Sequence, residues 1–114
     1  MQLETTTRND ALIITAVMPR IDAAIAIQFK DEMRDACDGG PARVVLDLAD
    51  VDFIDSSGLG AIVATMKLLA PDQKLELATL SDNVDKVFRL TRMDSVFAIH
   101  STTDAAFTNI IHAS

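Results

Sequence analysis

The period of the apolar positions changes along the chain, and each change marks a new element. A β-hairpin is predicted from about Gln2 to Met18. Its first half, QLETTTR, alternates weakly between apolar and polar residues, its second half, ALIITAVM, is rich in β-branched and apolar residues, and Asn9-Asp10 between them is a turn signal. The apolar run RVVLDL predicts a buried strand, and KLELATL predicts the strand after it. SVFAIH predicts a short strand at an edge of the sheet.

Apolar residues spaced by three or four positions predict four helices. The first starts with Asp22 as its N-cap and ends at DGGP. The second starts near Ser56 or Ser57, one of which is expected to cap it, and ends before Pro71. SDNVDKVFRLTRM holds the third helix and begins with a Ser/Asp cap at Ser81 and Asp82, and STTDAAFTNIIHA holds the fourth. The residues predicted to face inward are Ala23, Ile25, Ala26, Phe29, Met33, Ala36 and Cys37, then Leu59, Ile62, Val63, Met66 and Leu69, then Val84, Val87, Phe88 and Leu90, and finally Ala106, Phe107, Ile110 and Ile111.

After the hairpin, helices connect the successive strands, which predicts right-handed crossovers and an α/β fold with a largely parallel sheet. A chain of 114 residues suits one compact core, so we expect residues 1–114 to form a single domain.

Composition narrows the classes of partner. The net charge of −7 argues against nucleic-acid binding, which needs clustered Lys and Arg, and argues against an anionic membrane surface. Cys37 is the only cysteine, so no intrachain disulfide or cysteine metal site is expected. With no signal sequence or membrane-spanning segment visible, these features predict a cytoplasmic protein.

The second helix has almost no polar face. Opposite its predicted core stripe lie small or apolar residues, including Ala61, Ala64 and Leu68. Either neighbouring helices cover this face, or another protein docks on it. Each glycine within a helix costs about 1 kcal/mol relative to alanine. Close approach of another backbone would explain why Gly58 and Gly60 stand in this helix despite that cost.

The acidic residues before this helix raise the question of a metal site. Aspartates stand at positions 47, 50, 52 and 55, and carboxylates suit Mg²⁺ or Ca²⁺. Their spacing matches no calcium loop, and aspartate is common before a helix. We therefore expect no bound metal and no other cofactor.

Two enzyme classes are also disfavoured. A phosphoacceptor aspartate of the receiver type would need an acidic pair after the first strand, and TTTRND lacks one. IDSSGLG lacks the leading glycine of a hydrolase nucleophile elbow, and His100 and His112 are expected to be isolated surface residues. The chain is therefore not expected to be an enzyme.

The two serines remain as candidate phosphate acceptors. A serine at a helix N-terminus is exposed on a rigid turn, where a kinase could reach it in the folded protein. Phosphate there gains from the helix dipole but adds nearly two negative charges beside Asp52 and Asp55. Because these effects partly cancel within the domain, the main effect is expected on docking of a partner.

VVLDLADVDFIDSSGLGAIV resembles the signature of STAS domains, specifically the anti-sigma-factor antagonists of bacterial partner switching. RID and VFRLTRMDSVFAIHST match other parts of the family pattern, so the resemblance covers essentially the whole chain. It implies a mixed sheet with an N-terminal hairpin and helices packed on one side.

The resemblance also implies a function. Ser56 would be phosphorylated by a serine kinase that is itself the anti-sigma factor and binds the ATP. The unphosphorylated chain would bind that kinase and release its target, and a PP2C-type phosphatase would reset the switch. The docking surface would lie at or near Asp22, Asp55, Ser57, Gly58 and Leu59.

One position departs from the family pattern. Pro19 and Arg20 stand where a glycine and an acidic residue are common, so partner preference could differ. The alternative function is that of an unphosphorylated STAS subunit of a lipid-transport ATPase complex. The intact serine pair favours the antagonist.

Overall fold

The computed structural model describes the backbone of residues 2–112 and the side chains of residues 2–108. Its elements, in chain order, are β1 (Leu3–Arg8), β2 (Ala11–Ala16), β3 (Arg20–Ile21), α1 (Ala26–Cys37), β4 (Arg43–Asp47), β5 (Phe53–Ile54), α2 (Ser56–Leu69), β6 (Lys74–Ala78), α3 (Asp82–Leu90), a 3-10 turn (Met93–Ser95), β7 (Ile99–His100) and α4 (Ala105–His112). Within this part of the chain, no helix combines the length and apolar character needed to cross a bilayer.

Five strands form one mixed sheet in the order β1-β2-β4-β6-β7. β1 and β2 are antiparallel, and β2, β4, β6 and β7 run parallel. Asn9 and Asp10, both at positive φ, form the two-residue hairpin turn. The predicted hairpin and the α/β class are confirmed, and β7 lies at the sheet edge as predicted.

Both faces of the sheet are covered. One face packs its alternate apolar residues against α1, α2 and α3 around Phe29, Ile62 and Phe88. The other face packs Ile13 and Val45, with small neighbours, against Ala106 and Phe107 of α4. Three helices, α1, α2 and α3, thus pack on one side of the sheet as expected. α4 covers the second face because the central strands are apolar at consecutive positions and so need burial on both sides.

Two predicted helix details were wrong. α1 begins at Ala26 with Ile25 as N-cap, and Asp22 lies before a turn, so Ala23 is exposed instead of buried. Leu90 in α3 is exposed, because Val84 and Phe88 form the buried face and Leu90 lies about 200° around the helix from Phe88. Ser81 caps α3 as predicted. The side chains of Ile110, Ile111 and His112 lie outside the described residues.

A partly buried ionic cluster anchors α4. Glu76 accepts hydrogen bonds from Arg43 Nε at 2.7 Å and Arg43 Nη2 at 2.8 Å, and it pairs with His100 Nε2 at 2.7 Å. Arg43 also donates to the carbonyl of Ala106, and its guanidinium lies 4.8 Å from the centre of the Phe107 ring. The expectation that His100 is an isolated surface residue was wrong, since parallel pairing of β7 with β6 carries it to Glu76.

Candidate functional site

The site lies where two short strands join two loops. β3 pairs with β5 in parallel, separately from the main sheet. The carbonyl of Pro19 accepts hydrogen bonds from the amides of Asp52 at 2.8 Å and Phe53 at 3.3 Å. This pairing holds the residues after each strand, Asp22 and Asp55, beside the start of α2. Sequence reasoning missed both strands, because each has only two residues.

Asp55 connects the start of α2 to the turn before α1. Its Oδ1 accepts from the amide of Gly58 at 2.8 Å, so Asp55 is the N-cap of α2. Its Oδ2 accepts from the amide of Ala23 at 3.1 Å, which joins α2 to the turn before α1. The Gly58 hydrogen bond is the main cause that lowers the pKa of Asp55; partial burial opposes it, and the Ala23 amide lowers the pKa further. The carboxyl group is therefore ionised at neutral pH.

Because Asp55 is the cap, the serines are not. Ser56 and Ser57 occupy the first two helical positions and are exposed. Among the described residues, neither hydroxyl forms a hydrogen bond within the chain, so both are free to react or to contact a partner. The expectation that a serine caps this helix was wrong. Asp55 takes the capping position because a charged carboxylate forms a stronger hydrogen bond with a backbone amide than a neutral hydroxyl does.

Asp22 serves the preceding turn. Its Oδ1 accepts from the amide of Ala24 at 3.1 Å, and its Oδ2 accepts from Arg20 Nε at 3.3 Å. The Arg20 guanidinium also lies 4.5 Å from the centre of the half-exposed Phe53 ring. The unusual residue at position 20 thus stacks on β5 next to the serine turn, and Arg20 and Phe53 add to the residues predicted for this surface.

The glycine and leucine after the serines lie deeper. Gly58 is buried, and a Cβ built on it would lie 2.0 Å from the carbonyl oxygen of Ile21, so no other residue fits without a shift of backbone. The close approach expected at Gly58 therefore occurs within the chain itself. Leu59 is partly buried against the core. Both support the turn from beneath, while Ser57 and the two aspartates reach its surface.

The four aspartates before α2 do not act together. Asp47 lies at the end of β4, where it accepts from the amide of Ala49 and from the hydroxyl of Thr103, whereas Asp55 accepts from the amides of Gly58 and Ala23. Within residues 2–108, no three acidic, histidine or cysteine side chains are grouped as metal ligands.

The predicted small-residue face of α2 is divided. Ala61 and Thr65 are buried, and α2 packs against α1. Gly60 is exposed and Ala64 is half-buried, and both line a shallow groove between α1 and α2 with Ser57, Ile27 and Lys30. A neighbouring helix thus covers one part of this face and leaves the other part open. The exposed Ile27 was the signal in the sequence, since it interrupts the polar side of α1.

Comparison with known proteins assigns the family. Residues 2–106 match the family model described as the STAS domain. The chain belongs to the STAS domain family. It is 33% identical over 98 residues to BtrV of Bordetella bronchiseptica, which is named as an anti-sigma factor antagonist, and the match covers 85% of this chain and 84% of BtrV.

Two further relatives agree with this STAS assignment. The anti-sigma-B factor antagonist of Staphylococcus aureus is 25% identical over 105 residues, covering 91% of this chain and 96% of the relative. The fold matches that of the anti-sigma factor antagonist SpoIIAA in its unphosphorylated form with a TM-score of 0.73, at 24% identity, over 97% of this chain and 96% of SpoIIAA. SpoIIAA also has a solved phosphorylated form.

Proposed function

We propose that this STAS domain is an anti-sigma-factor antagonist switched by phosphorylation of Ser56. The unphosphorylated chain binds an anti-sigma factor that is also a serine kinase, and the kinase thereby releases its target. Phosphorylation of Ser56 abolishes binding, and a PP2C-type phosphatase restores it. The chain acts in the cytoplasm as one domain over residues 1–114 and performs no catalysis, since ATP is bound by the kinase.

One observation supports this proposal: Asp55 caps α2, and neither serine hydroxyl has a hydrogen-bond partner among the described residues. A hydroxyl engaged as a cap would have to leave its amide before it could accept phosphate. Here Ser56 is exposed at the first helical position, on a turn fixed by the two Asp55 hydrogen bonds. A kinase can therefore modify it without unfolding the helix.

The charges explain why phosphate would act on the partner and not on the fold. The Asp55 carboxylate already accepts from the amide of Gly58, so it reduces what a phosphate gains from the helix N-terminus. The added phosphate would carry nearly two negative charges beside ionised Asp55 and exposed Asp52. A partner surface that fits the neutral serine must then desolvate this charge or be repelled by it.

The partner surface in this proposal comprises the serine turn and the loop that Asp55 binds. Asp22, Asp55 and Ser57 provide its polar contacts. Gly58 and Leu59 lie beneath the serine turn and fix its position. Arg20, stacked on Phe53, lies at the edge of this surface and is the residue expected to influence which kinase is preferred.

The test is a pull-down from a lysate of the source organism, with the wild-type chain beside Ser56→Asp and Ser101→Asp. Ser101→Asp is the matched control, because Ser101 is exposed and lies outside the proposed partner surface. Bound proteins and phosphorylated positions are read by mass spectrometry. We expect the wild type and Ser101→Asp to recover an ATP-binding serine kinase and Ser56→Asp to lose it, with phosphate found on Ser56.

Two results would contradict the proposal. Recovery of the kinase by Ser56→Asp at the wild-type level would show that charge at this position does not control binding. Equal recovery of a transport ATPase by all three chains, without phosphate, would favour the alternative of a fixed STAS subunit.

A further inference from the structure

The two glycines of α2 differ in what surrounds them. At Gly58 the carbonyl of Ile21 leaves no room for a Cβ. At Gly60 a Cβ would meet nothing within 4 Å, and the residue is exposed within the helix. Alanine would fit at Gly60 and would favour the helix by about 1 kcal/mol. The fold of this chain therefore explains Gly58 and gives no reason for Gly60.

Gly60 lies in the groove between α1 and α2, and the walls of that groove are not only small residues. Ile27 of α1 is 74% exposed at its edge, so a large apolar side chain borders the groove. Ala61 and Ala64 form the floor with Gly60, and Ser57 forms the end nearest the phosphoacceptor. The groove is thus continuous with the proposed kinase surface.

The charges around the serine pair are polarised. Asp22, Asp52 and Asp55 lie on the loop side of the turn. On the groove side, Lys30 is the charged residue among those lining the groove, and no ion pair engages it within the described part of the chain. A partner segment suited to the groove would therefore be apolar, with an acidic side chain placed to reach Lys30.

We propose that the kinase inserts such a segment, apolar with one carboxylate, into the α1–α2 groove. Its apolar side chain contacts Ile27 and Ala64 and approaches the backbone at Gly60, and its carboxylate pairs with Lys30. This inference rests on the proposed function and adds a second contact area to it. The groove confers affinity and selectivity, while Ser56 supplies the switch.

The experiment uses the kinase that the wild-type chain recovers, purified and titrated against purified variants by calorimetry. Gly60→Leu fills the groove, and we expect its binding to be at least about tenfold weaker, with a melting temperature no lower than that of the wild type. Lys30→Glu should also weaken binding about tenfold. Lys67→Glu is the matched control, because Lys67 is exposed on α2 outside the groove, and it should bind within about twofold of wild type.

The outcomes separate the two proposals. If the wild type recovers no kinase, the proposed function and the groove both fail. If the kinase binds and Ser56→Asp abolishes binding, but Gly60→Leu and Lys30→Glu bind like the wild type, the groove alone is wrong. Equal weakening by Lys30→Glu and Lys67→Glu would show general charge repulsion, which also overturns the groove.

Discussion

The serine turn and the cluster around Glu76 use polar groups in opposite ways. At the turn, the Asp55 carboxylate accepts from two backbone amides, and the two exposed serine hydroxyls have no hydrogen-bond partner in the described part of the chain. At the cluster, Arg43 and His100 both pair with the Glu76 carboxylate, whose side chain is only 9% exposed. Within the described residues, no buried side-chain nitrogen or oxygen lacks a partner.

The difference separates stability from function. A buried charge must be fully paired, so the cluster is suited to fixing α4 on the sheet and is poorly suited to reacting. An exposed hydroxyl contributes little to stability, so the turn can change its chemical state while the fold persists. Substitutions should therefore affect unfolding at the cluster and binding at the turn.

The largest loss of stability is expected for Glu76→Ala. It leaves the Arg43 guanidinium beside Phe107 without its carboxylate and removes the partner of His100. We expect the free energy of unfolding to fall by about 3 kcal/mol, measured by urea denaturation. Arg34→Ala, at an exposed position on α1, serves as control and should change it by less than about 0.5 kcal/mol. Equal effects at the two sites would mean that the cluster does not fix the fold.

The next effect is expected for Gly58→Ala. The added Cβ would meet the carbonyl of Ile21, so β3 and α2 must move apart, at a cost of about 1–3 kcal/mol in unfolding free energy. Gly60→Ala, with open space at the Cβ, should be neutral or stabilising by up to about 1 kcal/mol. Thermal unfolding of both proteins measures the contrast, and a destabilising Gly60→Ala would argue against the open position.

Asp55→Ala should lower the free energy of unfolding, because it removes the N-cap of α2 and with it the hydrogen bonds from the amides of Gly58 and Ala23. Asp52→Ala is the control, since Asp52 is exposed on the same loop and its side chain makes no hydrogen bond among the described residues. Urea denaturation of the two variants gives the comparison. A wild-type stability for Asp55→Ala would imply that a serine takes over the cap.

Acid should weaken the cluster. Burial raises the pKa of Glu76, but the hydrogen bonds from Arg43 and His100 outweigh burial and lower it below the ordinary value of 4.5. The folded state therefore binds fewer protons than the unfolded state, so this stabilisation is complete above pH 4.5 and is lost as the pH falls through the folded pKa. Urea titrations between about pH 7 and pH 3 should show this fall. In Glu76→Gln the unfolding free energy should fall less over the same pH range. An equal fall in the two proteins would contradict the role given to Glu76.

The smallest effect on stability is expected for Ser56→Ala. Since the Ser56 hydroxyl makes no hydrogen bond within the described chain, unfolding free energy should change by less than about 0.5 kcal/mol. The variant should still bind the kinase but resist phosphorylation, which calorimetry and intact-mass measurement with ATP can show. A large loss of stability would mean that the hydroxyl is structural after all.

The periodic segments were predictable because burial imposes their pattern. The hairpin, β4, the end of α2 before Pro71 and the Ser81 cap all follow from local signals that the fold left in place. The start of α1 was not predictable, because Asp22 resembles an N-cap in sequence while the amide of Ala23 is bound by Asp55, 32 residues away. The pairing of His100 with Glu76 likewise depends on strand neighbours that the local pattern does not specify.

The sequence by itself determined the α/β class, the serine pair at the start of a helix and the family resemblance, because these depend on residue type and spacing. Only the tertiary structure decided that Asp55 caps α2 and that Ile27 and Lys30 border an open groove. It also decided that the carbonyl of Ile21 excludes a side chain at Gly58, while Gly60 has room for one. Each of these depends on atoms brought together from distant parts of the chain, and the distances between such atoms are set by packing and not by neighbours in sequence.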